Sequence, residues 1–274
     1  MNLDFTVHKV GAVGAENANC VRIVHISDTH MRHAVYKKDL PPGDILIHSG
    51  DFCQYSIEAM FTRKSTLMRE YVSEVNSFFS DLPYSHKILV AGNHEMCATK
   101  SDKALLEASL SSVTYLQDKS VTIEGLNIYG TPWTKNRWYS YADSFTKRQH
   151  GSLRKVWDNI PESTDVLVTH MPPFGILDLA LKKFSLVRSM FSQSEELCSC
   201  GEQHPTRDHW GCHSLRTAVL DRIRPLVHLF GHTHECNAIV NVNGVTFSNA
   251  AMKLNPTINV IDVYKSRTID VEGQ

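Results

Sequence analysis

In this 274-residue chain, seven side chains of metal-binding types stand where short apolar runs stop. "VRIVHI" is followed by Ser27-Asp28-Thr29-His30, and "DILIH" by Ser49-Gly50-Asp51-Phe52. "HKILVA" leads into Gly92-Asn93-His94-Glu95, "DVLVTH" ends at His170 before Met171-Pro172-Pro173, and "LVHLF" leads into Gly231-His232-Thr233-His234. Asp28, His30, Asp51, Asn93, His170, His232 and His234 together offer carboxylate oxygens, an amide oxygen and imidazole nitrogens, with no thiolate. That donor set suits Mn, Fe or Zn, whereas Ca prefers oxygen alone. Seven donors are too many for one tetrahedral ion and suit two, with one carboxylate shared. Two ions about 3.5–4 Å apart can share a hydroxide and clamp the attacking and leaving oxygens of a displacement at phosphorus. A single strand-terminal His or Asp is ordinarily a hydrogen-bonded turn residue. Five strand ends of the same kind form a cluster.

The elements that must position this cluster are legible in the apolar pattern. The runs at 21–26, 44–48, 86–91, 165–170 and 226–230 are short, β-branched and nearly continuous, as in strands buried on both faces. In open α/β folds the carboxyl ends of such strands are where ligands bind. From Ser56 to about Ser80 the apolar residues, from Ile57, Met60 and Phe61 through to Phe79, follow a 3.6-residue period and predict a helix. A second helix is predicted from Ser214 to Arg224, stopped by Pro225. Hairpins are predicted at 121–130, around Glu124-Gly125-Leu126-Asn127, and at 238–248, turning at Asn243-Gly244. Alternating strands and helices point to an α/β sandwich extended by hairpins. No repeat or low-complexity linker divides the chain, so 1–274 reads as one domain with a core from about 21 to 265. Residues 182–211 lack periodicity and read as an inserted loop, a lid over the metal edge.

Composition narrows the partners. With 28 basic and 29 acidic side chains, a net charge of -1 gives no electrostatic case for nucleic acid or a membrane surface. No apolar run nears the roughly 20 residues of a spanning helix. The first residues lack the layout of a signal peptide. Seven irregularly spaced Cys fit a reducing compartment, and the cytoplasm is expected.

In their order, "DTH", "GDF", "GNHE", a lone "TH" and "GHTH" resemble the motifs of the calcineurin-like metallophosphoesterases, over Val21 to about Val263. "GDILIHSGDF", "LPYSHKILVAGNHE", "IYGTPWT" and "RIRPLVHLFGHTHE" resemble the branch of metallophosphoesterase-domain-containing, UPF0046-type phosphodiesterases. The resemblance implies a four-layer α/β/β/α sandwich of two mixed sheets flanked by helices. It implies two divalent metal ions (Mn, Fe or Zn), one held by Asp28, His30 and His234, the other by Asn93, His170 and His232, with Asp51 bridging. A hydroxide between the ions would be the nucleophile. His94 would be the catalytic residue, stabilising phosphoryl charge or protonating the leaving oxygen. Asn93, His94 and Trp133 are the expected substrate contacts, and the substrate class is a small phosphodiester such as a cyclic nucleotide. A phosphomonoesterase or protein phosphatase on the same site, or a metal-bound scaffold without turnover, are the alternatives. Some vertebrate members of the branch lack the first His of the last motif and are weak enzymes, whereas His232 is present here.

Two positions depart from the family pattern. Protein phosphatases place an orienting Asp three residues after the bridging Asp, and here that residue is Gln54. Met171 replaces a Gly of the branch, and its bulk beside His170 would narrow the pocket. Other residues keep two readings. His25, His48 and His228 either bond the backbone in the core or orient a ligand. Trp133 stacks on a base or caps the core, Asn249 caps a turn or reaches the site, and Glu95 and Glu235 accept imidazole N–H groups or face water. In the insert, Cys198, Cys200, His204, His209, Cys212 and His213 are ligand types for zinc, although Cys-x-Cys is not the usual spacing.

Overall fold

The five apolar runs form strands, three of them buried at every residue. The structure, a computed structural model, describes residues 3, 5–12, 18–54, 62–95, 98, 100–135, 144–147, 150–181, 204 and 206–266. A first six-stranded sheet runs β1 (Phe5–Gly11), β16 (Ile258–Ser266), β2 (Ala18–Ile26), β3 (Ile45–His48), β4 (His86–Leu89) and β5 (Thr114–Tyr115). A second runs β14 (Ala238–Val242), β15 (Val245–Asn249), β13 (Val227–Phe230), β10 (Val166–Thr169), β7 (Leu126–Thr131) and β6 (Lys119–Ile123). Two-stranded ribbons pair β8 (Thr134–Lys135) with β9 (Thr146–Lys147), and β11 (Leu179–Leu181) with β12 (Arg207–His209). Strands β2 to β5 are parallel, as are β7, β10, β13 and β15. Parallel pairing brings their carboxyl ends to one edge.

Alternation along each strand separates two cores. Val21, Ile23, Ile45, Ile47 and Ile88 of the first sheet pack against Ile128, Val166, Val168, Val227 and Leu229 of the second. The alternate residues, Val24, Ile26, Leu46, Leu89, Leu167 and Phe230, join the helix side chains in the outer cluster. Each fully buried residue of this size contributes about 1.5–3 kcal/mol. The helices are α1 (His33–Tyr36), α2 (Lys64–Ser80), α3 (Lys103–Ser109), α4 (His150–Asp158) and α5 (His213–Thr217). The result is the expected mixed α/β sandwich. Among the described residues no helix is long and apolar enough to cross a membrane.

Several boundaries differ from the pattern. Helix α2 begins at Lys64, because Arg63 is extended, and Ile57, Met60 and Phe61 lie outside the described residues. The predicted helix at 214–224 is α-helical only to Thr217 and continues as a π turn over Ala218–Ile223. Arg224 then enters the left-handed region at φ 49°, ahead of Pro225. The first hairpin turns more tightly than expected, on Glu124-Gly125 alone, with φ of 51° and 74°. Asn243-Gly244 turns the second as predicted, with both residues left-handed. Strands β1 and β16 were not expected, and β16 lies between β1, to which it is parallel, and β2, to which it is antiparallel.

The three strand histidines are core residues with side-chain partners. His25 lies between the sheets, its Nδ1 2.8 Å from Ser248 Oγ and its Nε2 2.9 Å from Ser49 Oγ. His48 Nε2 meets Thr29 Oγ1 at 3.0 Å, and the Gly50 N–H donates to its Nδ1 at 3.3 Å. His228 Nε2 meets Thr169 Oγ1 at 2.9 Å while the hydroxyl donates to Met171 O, so the ring nitrogen is the donor. Burial lowers all three pKa values to about 3. An unfolded His titrates near 6.5, so between about 6.5 and 3 the unfolded chain binds the extra protons. Stability is therefore full above pH 6.5 and falls as the pH drops toward 3, by about 1.4 kcal/mol per pH unit for each such proton. Urea unfolding between pH 7 and 4 should show this slope, and His228→Phe should make it shallower by about one proton. An unchanged slope would place the acid sensitivity elsewhere.

Candidate metal centre

At the shared edge the backbone leaves ordinary strand geometry. Asp28, His30, Asp51 and His232 all have positive φ, at 51°, 44°, 53° and 68°. Such conformations cost a non-glycine residue about 1–3 kcal/mol each and concentrate at functional sites. At Asp28 and His30 the chain therefore does not continue the alternation of the strand before them. Left-handed turns aim the two side chains inward, and Thr29 turns away to His48. The turns are held by Asp28 N–H to Gly50 O (2.9 Å) and His30 N–H to Asp51 O (3.1 Å). The Ser27 N–H donates to Ala250 O (2.9 Å) and the Met252 N–H to Ser27 O (3.0 Å), which stitches the two sheets together beside the site.

The side chains converge in two groups that share one carboxylate. Asp28, His30, Asp51 and His234 present donor atoms within 4.8 Å of one another, as do Asp51, His170 and His232. His234 Nε2 is 3.1 Å from Asp28 Oδ1 and 3.1 Å from His30 Nε2. His170 Nε2 is 3.2 Å from Asp51 Oδ2. The tautomers follow from the other ring nitrogen: His30 Nδ1 donates to Cys53 O (3.0 Å) and His170 Nδ1 to Ser49 O (2.9 Å). Each Nε2 is thereby left to serve as a ligand. Carboxylate oxygens and imidazole lone pairs pointing at common points fit divalent cations of the Mn, Fe or Zn kind. Asn93 lies buried in the same loop as His94.

Electrostatics are those of a cation site. Burial opposes ionisation of Asp28, yet the His234 hydrogen bond and the field of His170 hold its carboxyl well below the usual range. Asp51 is likewise lowered against its burial, by His170 and His94. Burial disfavours charge on His170, but Asp51 and Asp28 raise its pKa to about 10. Burial lowers His30 to about 4 and also lowers His94.

Glu95 ties the motif loops together. It is fully buried and accepts the backbone N–H groups of Asp51 (3.1 Å), Cys53 (2.9 Å) and Gly92. Burial and the nearby Asp51 charge raise its pKa to about 7. It therefore accepts from backbone rather than from imidazole, contrary to expectation. The glycine of "FGHTHE" is required by close approach. A Cβ on Gly231 would strike the Asp28 carboxylate and the Ser27 side chain.

A family model described as calcineurin-like phosphoesterase matches residues 21–236, which span every residue of both groups. The chain belongs to the calcineurin-like phosphoesterases. Human metallophosphoesterase domain-containing protein 1 is 31% identical over 270 residues, covering 88% of this chain and 71% of its own. A UPF0046 protein of Caenorhabditis elegans is 35% identical over 249 residues, with 85% and 76% covered. A solved structure with 13% identity superimposes with a TM-score of 0.56 over 89% of this chain and 95% of its own, a likeness of fold. The phosphoesterases of this family use divalent metals, and the two donor groups fit that use.

The remaining expected residues separate into those near the calcineurin-like centre and those in the packing. His94 joins it: its N–H donates to Asp51 Oδ1 (2.8 Å), its Nε2 is 3.8 Å from Asp51 Oδ2, and its ring meets that of His30 edge-on at 4.7 Å. Its Nδ1 has no hydrogen-bond partner among the described residues, consistent with Gln54 standing where an orienting Asp would be. Trp133 is 5% exposed, donates from Nε1 to Asp118 at 3.0 Å, and carries Lys147 Nζ 3.8 Å above its ring. That corrects its expected substrate contact: the indole caps the core. Met171 is fully buried in the outer cluster. Asn249 braces the last motif loop by donating to Thr233 O (3.1 Å), and Glu235 accepts the Leu181 N–H (3.0 Å). Of the possible zinc ligands, Cys198 and Cys200 lie outside the described residues, as do 182–203. His204, His209, Cys212 and His213 are described and fall in neither donor group. The pattern gave no sign of Trp210, whose ring lies 5.4 Å from that of His232.

Gly231→Ala should fold and yet lose metal, because the new methyl displaces Asp28 from His234. Elemental analysis after dialysis should find its metal content well below that of the unsubstituted protein. Equal content would show that the loop yields without moving the carboxylate.

Proposed function

We propose that this protein is a two-metal phosphodiesterase that hydrolyses small phosphodiesters such as cyclic nucleotides. The observation that carries this reading is the sharing of Asp51 between two donor groups, each with its own imidazoles. Two divalent cations, when bound there, supply a water nucleophile at neutral pH and neutralise charge on the phosphoryl group. Asp28, His30 and His234 would hold one, and Asn93, His170 and His232 the other. Asp51 would set their spacing and Glu95 the position of Asp51. His94, 20% exposed and 3.8 Å from Asp51, is the group able to bring a proton to the departing oxygen.

The diester preference is supported by charge. Each of the two donor groups contains a carboxylate, which opposes further negative charge. A diester brings one negative charge and a monoester dianion two, so the diester asks less of the site. Gln54 in place of an orienting Asp weighs against a protein phosphatase. Cys20, Cys212 and Cys236, none of them in a disulfide, support a reducing compartment such as the cytoplasm.

The test is hydrolysis of bis-p-nitrophenyl phosphate against p-nitrophenyl phosphate by metal-stripped protein given Mn. The diester should turn over faster, and Asp51→Asn should abolish both activities and lower bound Mn. Faster monoester turnover would favour a phosphomonoesterase, and bound metal without turnover a scaffold. His94→Ala should keep its metal while kcat falls by roughly 10²–10⁴. The loss should be smaller for esters with good leaving groups. If good and poor leaving groups lose equally, His94 stabilises charge and does not donate the proton.

A further inference from the structure

Beyond the donor groups, one aromatic side chain is mounted against the centre. Trp210 follows β12, and its indole lies 5.4 Å from the His232 ring at an interplanar angle of 48°. It is half-buried, so part of its surface is open to solvent. The backbone around it is pinned from several sides. The Trp210 N–H donates to Asp178 O (2.9 Å), the Gly211 N–H to Asp178 Oδ2 (3.0 Å), and His209 Nδ1 to Asp178 Oδ1 (2.7 Å). The Cys212 N–H donates to Pro172 O (3.1 Å) and the Phe174 N–H to Cys212 O (3.1 Å), which fastens the segment to the chain just after His170. Asp178 is itself buried, and a Cβ on Gly211 would collide with it and with Pro173 O. So much bonding fixes the backbone that carries the indole, which lowers the entropic cost of ordering the segment.

We propose that Trp210 is a specificity-determining residue, the platform on which the base of a nucleotide phosphoester stacks while its phosphorus sits over Asp51. The inference rests on the phosphoesterase reading above and names the part of the substrate that the metal groups do not recognise. The geometry gives the site two aromatic flanks. His94 meets His30 of one group and Trp210 meets His232 of the other, so the ends of a diester would face different chemistry: a proton donor at one, a π surface at the other. Bases stack on such surfaces with little regard to sequence, because every base has a π face. The platform would therefore favour nucleotides over esters without a ring and discriminate weakly among bases.

The test compares AMP with ribose 5-phosphate by titration calorimetry on the full chain loaded with Mn. The two share the phosphate and the sugar, and only AMP has a base. AMP should bind roughly 10–100-fold more tightly, the range expected of one stacking contact. In Trp210→Ala the ratio of the two affinities should fall close to one, and in Trp210→Phe most of it should return. Equal affinities in the unsubstituted protein, or a ratio that survives Trp210→Ala, would overturn the inference while leaving the phosphoesterase reading intact. Failure of both ligands to bind in the presence of Mn, together with no diester hydrolysis, would overturn both.

Discussion

Two carboxylates, Asp28 and Asp51, are sealed at the meeting edge of two sheets, and the rest of the molecule is arranged around keeping them ionised there. A lone buried carboxylate would take up a proton to escape its desolvation cost. Here imidazoles lie within 3.2 Å of both, and backbone N–H groups from His94 and His232 donate to them. Those donors come from loops of both sheets, so neither carboxylate would be tolerated without the sandwich. The left-handed turns at four candidate ligands are the conformational cost of this convergence, and the sheet cores are what bear it.

Glu95 shows how far the arrangement goes. A third carboxyl, buried beside Asp51, is electrostatically unwelcome, and its raised pKa reflects that. It persists because three backbone donors from the two loops converge on it. The same economy governs "FGHTHE" and "SGDF". Gly231 and Gly50 stand where any side chain would enter a carboxylate or an imidazole, so these glycines are set by the ligands they adjoin.

Much of the fold and most of the candidate site were legible in the chain itself. Continuous apolar runs revealed the five strands that lead into the candidate ligands because most residues of those strands are buried, and Asn243-Gly244 marked its hairpin by conformational preference. Strand β1 was missed because it lies at the edge of its sheet with Phe5 exposed, and its alternation is weak. The π turn after α5 reflects tertiary packing, with Arg222 reaching Trp157 O and Ile160 O, which local periodicity does not record. Asp28, His30, Asp51, His170, His232 and His234 were readable from residue type and position. Trp210 was not, since its nearness to His232 depends on how Asp178 fastens a segment some thirty residues further on. Trp133 was misread for the matching reason: an aromatic after a strand end looks the same in sequence whether it faces a ligand or Asp118.

The order of strands in the first sheet also bears on how the protein is made. β2, which leads into Asp28, has β3 on one side and β16 on the other, and β16 is residues Ile258–Ser266. The residues of both donor groups, from Asp28 to His234, thus leave the ribosome before the strand that completes the first sheet. At about 5–20 residues per second, that interval is on the order of seconds. During it, two acidic and several imidazole side chains are present without the scaffold that brings them together. The first sheet, and with it the edge on which Asp28 and Asp51 stand, is accordingly completed late in synthesis.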